Sequence, residues 1–303
     1  PQSGQSYCLV SDPGYFVNSS ASPNQNPCQP GSYQPYYGES SCVIADPGFF
    51  VNTTAAISQI PCNAGTYNPW SGADESTDCL FADMGYYVPF PASTSQFSCT
   101  AGTYSATLGQ IICDYADTGH YVADDNATSQ EPCEIGYWQG QLGQTNCEIA
   151  DPGYYVDRPA SDNQTPCSAG YYNPNSGSTN SFDCIAADPG HSVATPGSGH
   201  QTPCQNGTYQ PAGGNSECID AALGYHVPFS GATGQIGCSM GSFQDQLAGT
   251  ECFEATPGHY VDSHFASSQK ACPQGTFNPE YNSNNLADCI DADPGFFVAN
   301  TGQ

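Results

Sequence analysis

Seventeen cysteines give this 303-residue chain most of its capacity for chemistry. They stand at positions 8, 28, 42, 62, 79, 99, 113, 133, 147, 167, 184, 204, 218, 238, 252, 272 and 289. Every second gap between neighbours is 20 residues, and the gap between is always 14 or 17. Thiols in such numbers either ligate metal or join as disulfides. Zinc sites use close pairs such as Cys-x2-Cys, and none occurs here. Disulfides therefore account for the pattern, and they imply an oxidising, extracellular compartment. Spacing leaves two pairings open. One closes the 14- and 17-residue loops and leaves Cys8 over; the other closes the 20-residue loops and leaves Cys289 over.

The other reactive side chains read as members of the same repeat. Of six histidines, His120, His191 and His259 take the first aromatic position after a turn glycine, and His226 takes the second. His200 and His264 lie in variable polar stretches. No Ser/His/Asp or Cys/His arrangement breaks the repeat symmetry, so no catalytic residue, no metal site and no enzymatic activity is expected. Aspartates recur at 12, 46, 83, 117, 151, 188 and 293, mostly within Asp-Pro-Gly. Calcium is the one cofactor such carboxylates would admit. A turn is the simpler account: Asp accepts backbone N–H groups, Pro presets φ, and Gly supplies a positive φ. Ala222 and Thr256 replace the aspartate in two modules, which leaves the turn without a carboxylate there. Five N-glycosylation sequons begin at Asn18, Asn52, Asn126, Asn163 and Asn206, and glycans on them are expected.

The elements that must position these residues are short. After one cysteine comes Asp-Pro-Gly, then an aromatic pair and Val, as in Asp46-Pro-Gly-Phe-Phe-Val51. A polar run leads to the next cysteine, often as Pro-Cys. Then x2-Gly-[Ser/Thr]-[Tyr/Phe] opens a second strand, as in Gly65-Thr-Tyr67. No stretch sustains an apolar period of 3.6, so the fold class is small and disulfide-rich, mostly irregular with short β-strands and almost no helix. The array is expected to be an elongated rod of about nine modules, with Tyr and Phe rings stacking between neighbours as the main apolar contact. Modules run 28–61, 62–98, 99–132, 133–166, 167–203, 204–237 and 238–271, with partial modules at 1–27 and 272–303. The 17-residue gap recurs at every third module, which gives a super-repeat of 105 residues. Tyr67-Asn-Pro reappears as Tyr172-Asn-Pro and Phe277-Asn-Pro, and each long loop closes on Asp-Cys, at Asp78, Asp183 and Asp288. The odd cysteine is then expected to mark an array cut in mid-module.

Cys-x2-Gly-[Ser/Thr]-Tyr, followed by a Gly- or Asn-rich loop and a cysteine 14 residues after the first, resembles the first half of a tumour necrosis factor receptor cysteine-rich module. It is similar also to ephrin-receptor-like repeats; Cys272-Pro-Gln-Gly-Thr-Phe277 matches best. The resemblance covers about half of each module. The Asp-Pro-Gly half departs from the pattern, and the receptor's further cysteines are absent. The resemblance implies the pairs Cys28–Cys42, Cys62–Cys79, Cys99–Cys113, Cys133–Cys147, Cys167–Cys184, Cys204–Cys218, Cys238–Cys252 and Cys272–Cys289.

Charge restricts the partners. Twenty-nine acidic residues face two basic ones, Arg158 and Lys270, for a net charge of −27. Nucleic acid is excluded for want of any basic patch, and no stretch has the roughly 20 apolar residues of a membrane span. The function expected is that of an extracellular or cell-surface structural protein that self-associates into a glycosylated filament, hair or sheath. The alternative is the cysteine-rich stalk or ligand-binding ectodomain of a receptor or adhesin.

Overall fold

A glycine with positive φ starts each structural unit. The computed structural model describes residues 8–303; residues 1–7 of the first partial module lie outside it. Gly14, at φ 85°, ends the turn Asp12-Pro-Gly, and the Tyr15 amide donates to the Asp12 carbonyl at 3.0 Å. Strand β1 (Tyr15–Phe16) follows and pairs antiparallel with β2 (Asn26–Pro27). The Cys28 amide then closes the hairpin on the Gly14 carbonyl at 2.9 Å. The next stretch repeats this construction. Gly31 precedes β3 (Ser32–Tyr33), which pairs with β4 (Val43–Ile44), and the Ala45 amide bonds the Gly31 carbonyl at 2.9 Å. The two halves of a module, unlike in sequence, are thus one hairpin built twice, closed first by Cys and then by Ala.

Among the described residues there are 16 such two-stranded hairpins and no α-helix. Three single-turn 3-10 helices, Ser76–Asp78, Ser181–Asp183 and Leu286–Asp288, occupy the long loops. Eight disulfides recur in tandem. The chain divides into two units. The first comprises Pro1–Glu134, Trp138–Glu148 and Pro159–Asn163; the second comprises Ile135–Tyr137, Ile149–Arg158 and Gln164–Gln303.

Within the first unit each hairpin is bonded to the next two. The Gly14, Gly31 and Gly48 amides donate forward to the carbonyls of Gln34, Val51 and Asn68 at 2.7–2.8 Å. One hairpin further on, the Ala55, Gly72 and Ala92 amides reach back to Cys28, Ala45 and Cys62 at 2.8 Å. The approach is too close for a side chain: a Cβ on Gly48 would collide with the Ala92 carbonyl oxygen. Hence Gly serves there for space as well as for φ. The second unit uses the same bonds. Gly190 and Gly207 donate to Gln210 and Val227, while Gly231 and Ala248 reach back to Cys204 and Ala221. Backbone polar groups at the ends of these two-residue strands would otherwise lack protein partners, and this ladder satisfies them.

The core differs from the expected stack of aromatic rings. Its fully buried positions are the closing Cys and Ala residues and one further column. In the first unit that column is Gln34, Val51, Asn68, Val88, Ser105 and Val122; in the second it includes Asn173, Val193, Gln210, Val227 and Gln244. Most strand aromatics are only half-buried. Tyr87–Phe97 and Phe243–Phe253 face each other within single hairpins, and Tyr225–Phe265, at 5.2 Å, is the stacked pair that joins different hairpins. The reason is geometric: a backbone bonded this closely from one hairpin to the next leaves interior room only for Val, Ala, half-cystine and small amides. One buried Val contributes roughly 1.5–3 kcal/mol, and a disulfide closing a loop of this length roughly 3 kcal/mol. The cross-links therefore weigh as much as the apolar core.

Candidate functional site

The repeated half-cystines are the cross-links on which each pair of hairpins is built. The disulfides are Cys28–Cys42, Cys62–Cys79, Cys99–Cys113, Cys133–Cys147, Cys167–Cys184, Cys204–Cys218, Cys238–Cys252 and Cys272–Cys289. Cys8 is a free, exposed thiol. In each pair the first cysteine that closes a hairpin is buried, whereas partners such as Cys42, Cys79 and Cys113 are half-buried. A side chain from the second position of the preceding strand lies on the disulfide. Phe50 packs on Cys62 and Cys79. Ser192 Oγ lies 3.5 Å from Cys218 Sγ, and His226 Nδ1 lies 3.1 Å from Cys252 Sγ.

The turn aspartates do not use their carboxylates as expected. The turn is closed by backbone, as at Tyr15 and Asp12, and the carboxylate reaches sideways instead. Asp46 Oδ2 accepts from Gln59 Nε2 at 2.8 Å, and Gln59 Oε1 accepts from the Asp46 amide at 2.8 Å. The same reciprocal clip joins Asp12 to Gln25, Asp83 to Gln96, Asp117 to Gln130, Asp151 to Gln164 and Asp188 to Gln201. Where the carboxylate is missing, the glutamine keeps the backbone half: Gln235 accepts from the Ala222 amide and Gln269 from the Thr256 amide, and at Thr256 the hydroxyl stands in for the carboxylate, accepting from Gln269 Nε2 at 3.0 Å. Sequence reasoning passed over these glutamines. Their signal is plain in hindsight, since each stands three residues before the cysteine that ends a 20-residue gap.

The long loops are held by a second device. Asp78 Oδ2 accepts from the Asp74 and Glu75 amides at 3.0 and 3.1 Å, which caps the 3-10 turn from its far end. Asp183 does this for Thr179 and Asn180, and Asp288 for Asn284 and Asn285. The buried-column amide changes with loop length. Four of the five short loops use Gln, whose Nε2 spans seven residues to a carbonyl: Gln34 to Ser41, Gln139 to Asn146, Gln210 to Glu217 and Gln244 to Glu251, while the Cys99–Cys113 loop has Ser105, whose Oγ donates to the Thr107 carbonyl. Long loops use Asn68, Asn173 or Asn278, the last two bonded to Ser178 Oγ and Ser283 Oγ at 2.7 and 2.8 Å. The Tyr-Asn-Pro and Asp-Cys marks of the 105-residue super-repeat are these two supports.

The sequon asparagines Asn18, Asn52, Asn126, Asn163 and Asn206 are all exposed. His120, His191 and His259 each point Nδ1 back at a turn carbonyl, of Thr118, Pro189 and Pro257. Lys270 donates to both Asp262 oxygens, at 2.7 and 2.9 Å. That hydrogen-bonded pair holds the carboxyl below its ordinary range and the ammonium above its own. Partial burial, with Asp117 and Asp114 near, pushes the Tyr104 phenol up. Among the described residues no helix is long and apolar enough to cross a membrane. Eight disulfides favour an extracellular or secreted location. No protein-family model matches the chain, and no curated protein matches it.

Proposed function

We propose that the chain is the repeating part of an extracellular structural protein, a glycosylated building block of a cell-surface filament, hair or sheath, and that it performs no catalysis. The observation that carries this reading is the recurrence of one stacking device. In each unit the same backbone bonds and turn glycines return hairpin after hairpin, and an Asp–Gln clip returns at every second hairpin from Asp12 to Asp188. A binding or catalytic domain usually devotes some region to a site of its own. Five exposed sequons supply places for glycans that would cover a surface too thin to bury its own backbone. Large apolar side chains stand in solvent along the returning strands, among them Ile44, Phe81 and Tyr115, and Phe182 on a 3-10 turn is 95% exposed. Exposed apolar surface of this kind favours self-association. The net charge of −27 requires salt, divalent cations or a basic partner to screen it.

The second reading is a receptor or adhesin stalk related to tumour necrosis factor receptor or ephrin-receptor-like modules. The Cys-x2-Gly-[Ser/Thr]-Tyr motif within each 14- or 17-residue disulfide loop favours it. Electron microscopy of the purified native material separates the two: regular filaments support the first, and isolated flexible chains support the second. Intact mass before and after enzymatic deglycosylation tests the glycans, and an unchanged mass refutes them.

A further inference from the structure

One disulfide of the array is built differently from its neighbours. The strand position that covers a disulfide is held by an aromatic ring in six other modules (Phe16, Phe50, Tyr87, Tyr121, Tyr155 and Tyr260) and by Ser192 in front of Cys204–Cys218, but by a metal-ligating side chain, His226, in front of Cys238–Cys252. A ring nitrogen of His226 and the two sulfur atoms lie within 4.8 Å of one another, and Nδ1 is 3.1 Å from Cys252 Sγ. Oxidised, the sulfurs are bonded to each other and the imidazole merely covers them. Reduced, they become two thiols beside an imidazole nitrogen, and a bound ion that takes their protons' place meets a ligand set that zinc and other thiophilic ions take.

We propose that Cys238–Cys252 with His226 is a redox-gated metal site, closed to metal as a disulfide and binding one thiophilic divalent ion once reduced. The reductant is a dithiol. One of its thiolates attacks the half-buried Cys252 sulfur, and Cys238 leaves as the thiolate. The second reductant thiol, deprotonated, then attacks the mixed disulfide and frees Cys252. Two electrons pass to the protein, and the reductant ends as its own disulfide. The ion then binds two thiolates and His226 Nδ1, displacing the thiol protons. Three protein ligands leave a fourth position for water.

The surroundings hold the three groups in place when the disulfide opens. Strands Ser242–Phe243 and Phe253–Glu254 pair across the loop, and Gln244 Nε2 bonds the Glu251 carbonyl at 2.6 Å. Cys238 is fixed at its amide by the Gly224 carbonyl and at its carbonyl by the Phe265 amide. The sulfurs need only part to about 3.8 Å, the edge of a tetrahedron with metal–sulfur bonds of about 2.3 Å. The ion would then restore the cross-link that reduction removed.

The test uses the full chain, reduced with limited dithiothreitol, desalted without oxygen and titrated with Co2+ as the probe. We expect thiolate-to-cobalt absorption saturating at one ion per chain, bleached by Zn2+, and no such absorption from the oxidised chain. His226→Phe installs the side-chain type found at 50 and so keeps the fold; it should weaken binding at least about 100-fold, beyond the loss typical of outer-shell changes. Alkylation mapping gives a second measurement that survives partial unfolding. Zn2+ should shield Cys238 and Cys252 in the reduced chain and not in His226→Phe. Absence of the absorption, equal affinity in His226→Phe, or equal shielding of another cysteine pair would each overturn the proposal.

Discussion

Replacing Asn173 tests whether loop length and buried amide are coupled, which is the basis of the 105-residue super-repeat. Asn173 is fully buried. Its Nδ2 donates to Ser178 Oγ at 2.7 Å and to the Tyr154 carbonyl at 3.3 Å, and its Oδ1 accepts from the Asn175 amide at 3.1 Å. Neutral hydrogen bonds contribute about 1 kcal/mol each, and stranded buried partners cost at least that. Asn173→Ala should therefore destabilise the surrounding hairpins by about 3 kcal/mol. The more discriminating variant is Asn173→Gln, the residue used at 210 in a short loop. Its longer arm reaches a carbonyl seven residues on, as Gln210 reaches Glu217, and in the long loop three inserted residues have displaced that target. It should cost nearly as much as Ala. In a repeat protein unfolding is local, so the assay is hydrogen exchange by mass spectrometry over residues 153–184. A 3 kcal/mol loss there speeds exchange by about 100-fold. If Asn173→Gln exchanges like the parent chain while Asn173→Ala does not, the coupling is refuted.

Four further outcomes follow from the same geometry. Gly48→Ala forces a side chain into positive φ and against the Ala92 carbonyl, and should cost more than about 3 kcal/mol in thermal unfolding; a change under 1 kcal/mol would contradict the stacking. Gln59→Ala breaks two clip bonds where Gln235→Ala breaks one, so denaturant midpoints should fall further for the first, and equal midpoints would show the carboxylate to be idle. Because Asp262 is held low by Lys270, its contribution is present at neutral pH and lost as pH falls through its depressed folded value; Lys270, held high, loses its contribution as pH rises through its elevated value. NMR titration should place Asp262 below an ordinary Asp and return it there in Lys270→Met. Trypsin should leave the native chain intact: Arg158 precedes Pro159, and Lys270 lies in a strand two residues from buried Cys272. After reduction and denaturation, a single cut behind Lys270 should give two fragments.

The missing 3.6-residue apolar period pointed to short strands without long helices, and the cysteine gaps by themselves determined the 34- to 37-residue spacing and its 105-residue period. They did so because a cross-linked loop fixes the distance along the chain at which each half-cystine must return. The sequence also carried the marks of the long loops, Asn173 and Asp183 among them, without saying what those residues do. Only the tertiary structure decided three matters. It made the two dissimilar halves of a module equivalent, since the equivalence rests on backbone bonds such as Ala45 to Gly31 and Cys28 to Gly14 rather than on side-chain type. It turned the Asp carboxylates toward glutamines 13 residues away, and it filled the core with Val, Ala, half-cystine and amides in place of rings. The make-up of the core depends on how closely successive hairpins approach. That distance is set by glycine carrying no Cβ, which becomes visible only when the neighbouring hairpin is in position.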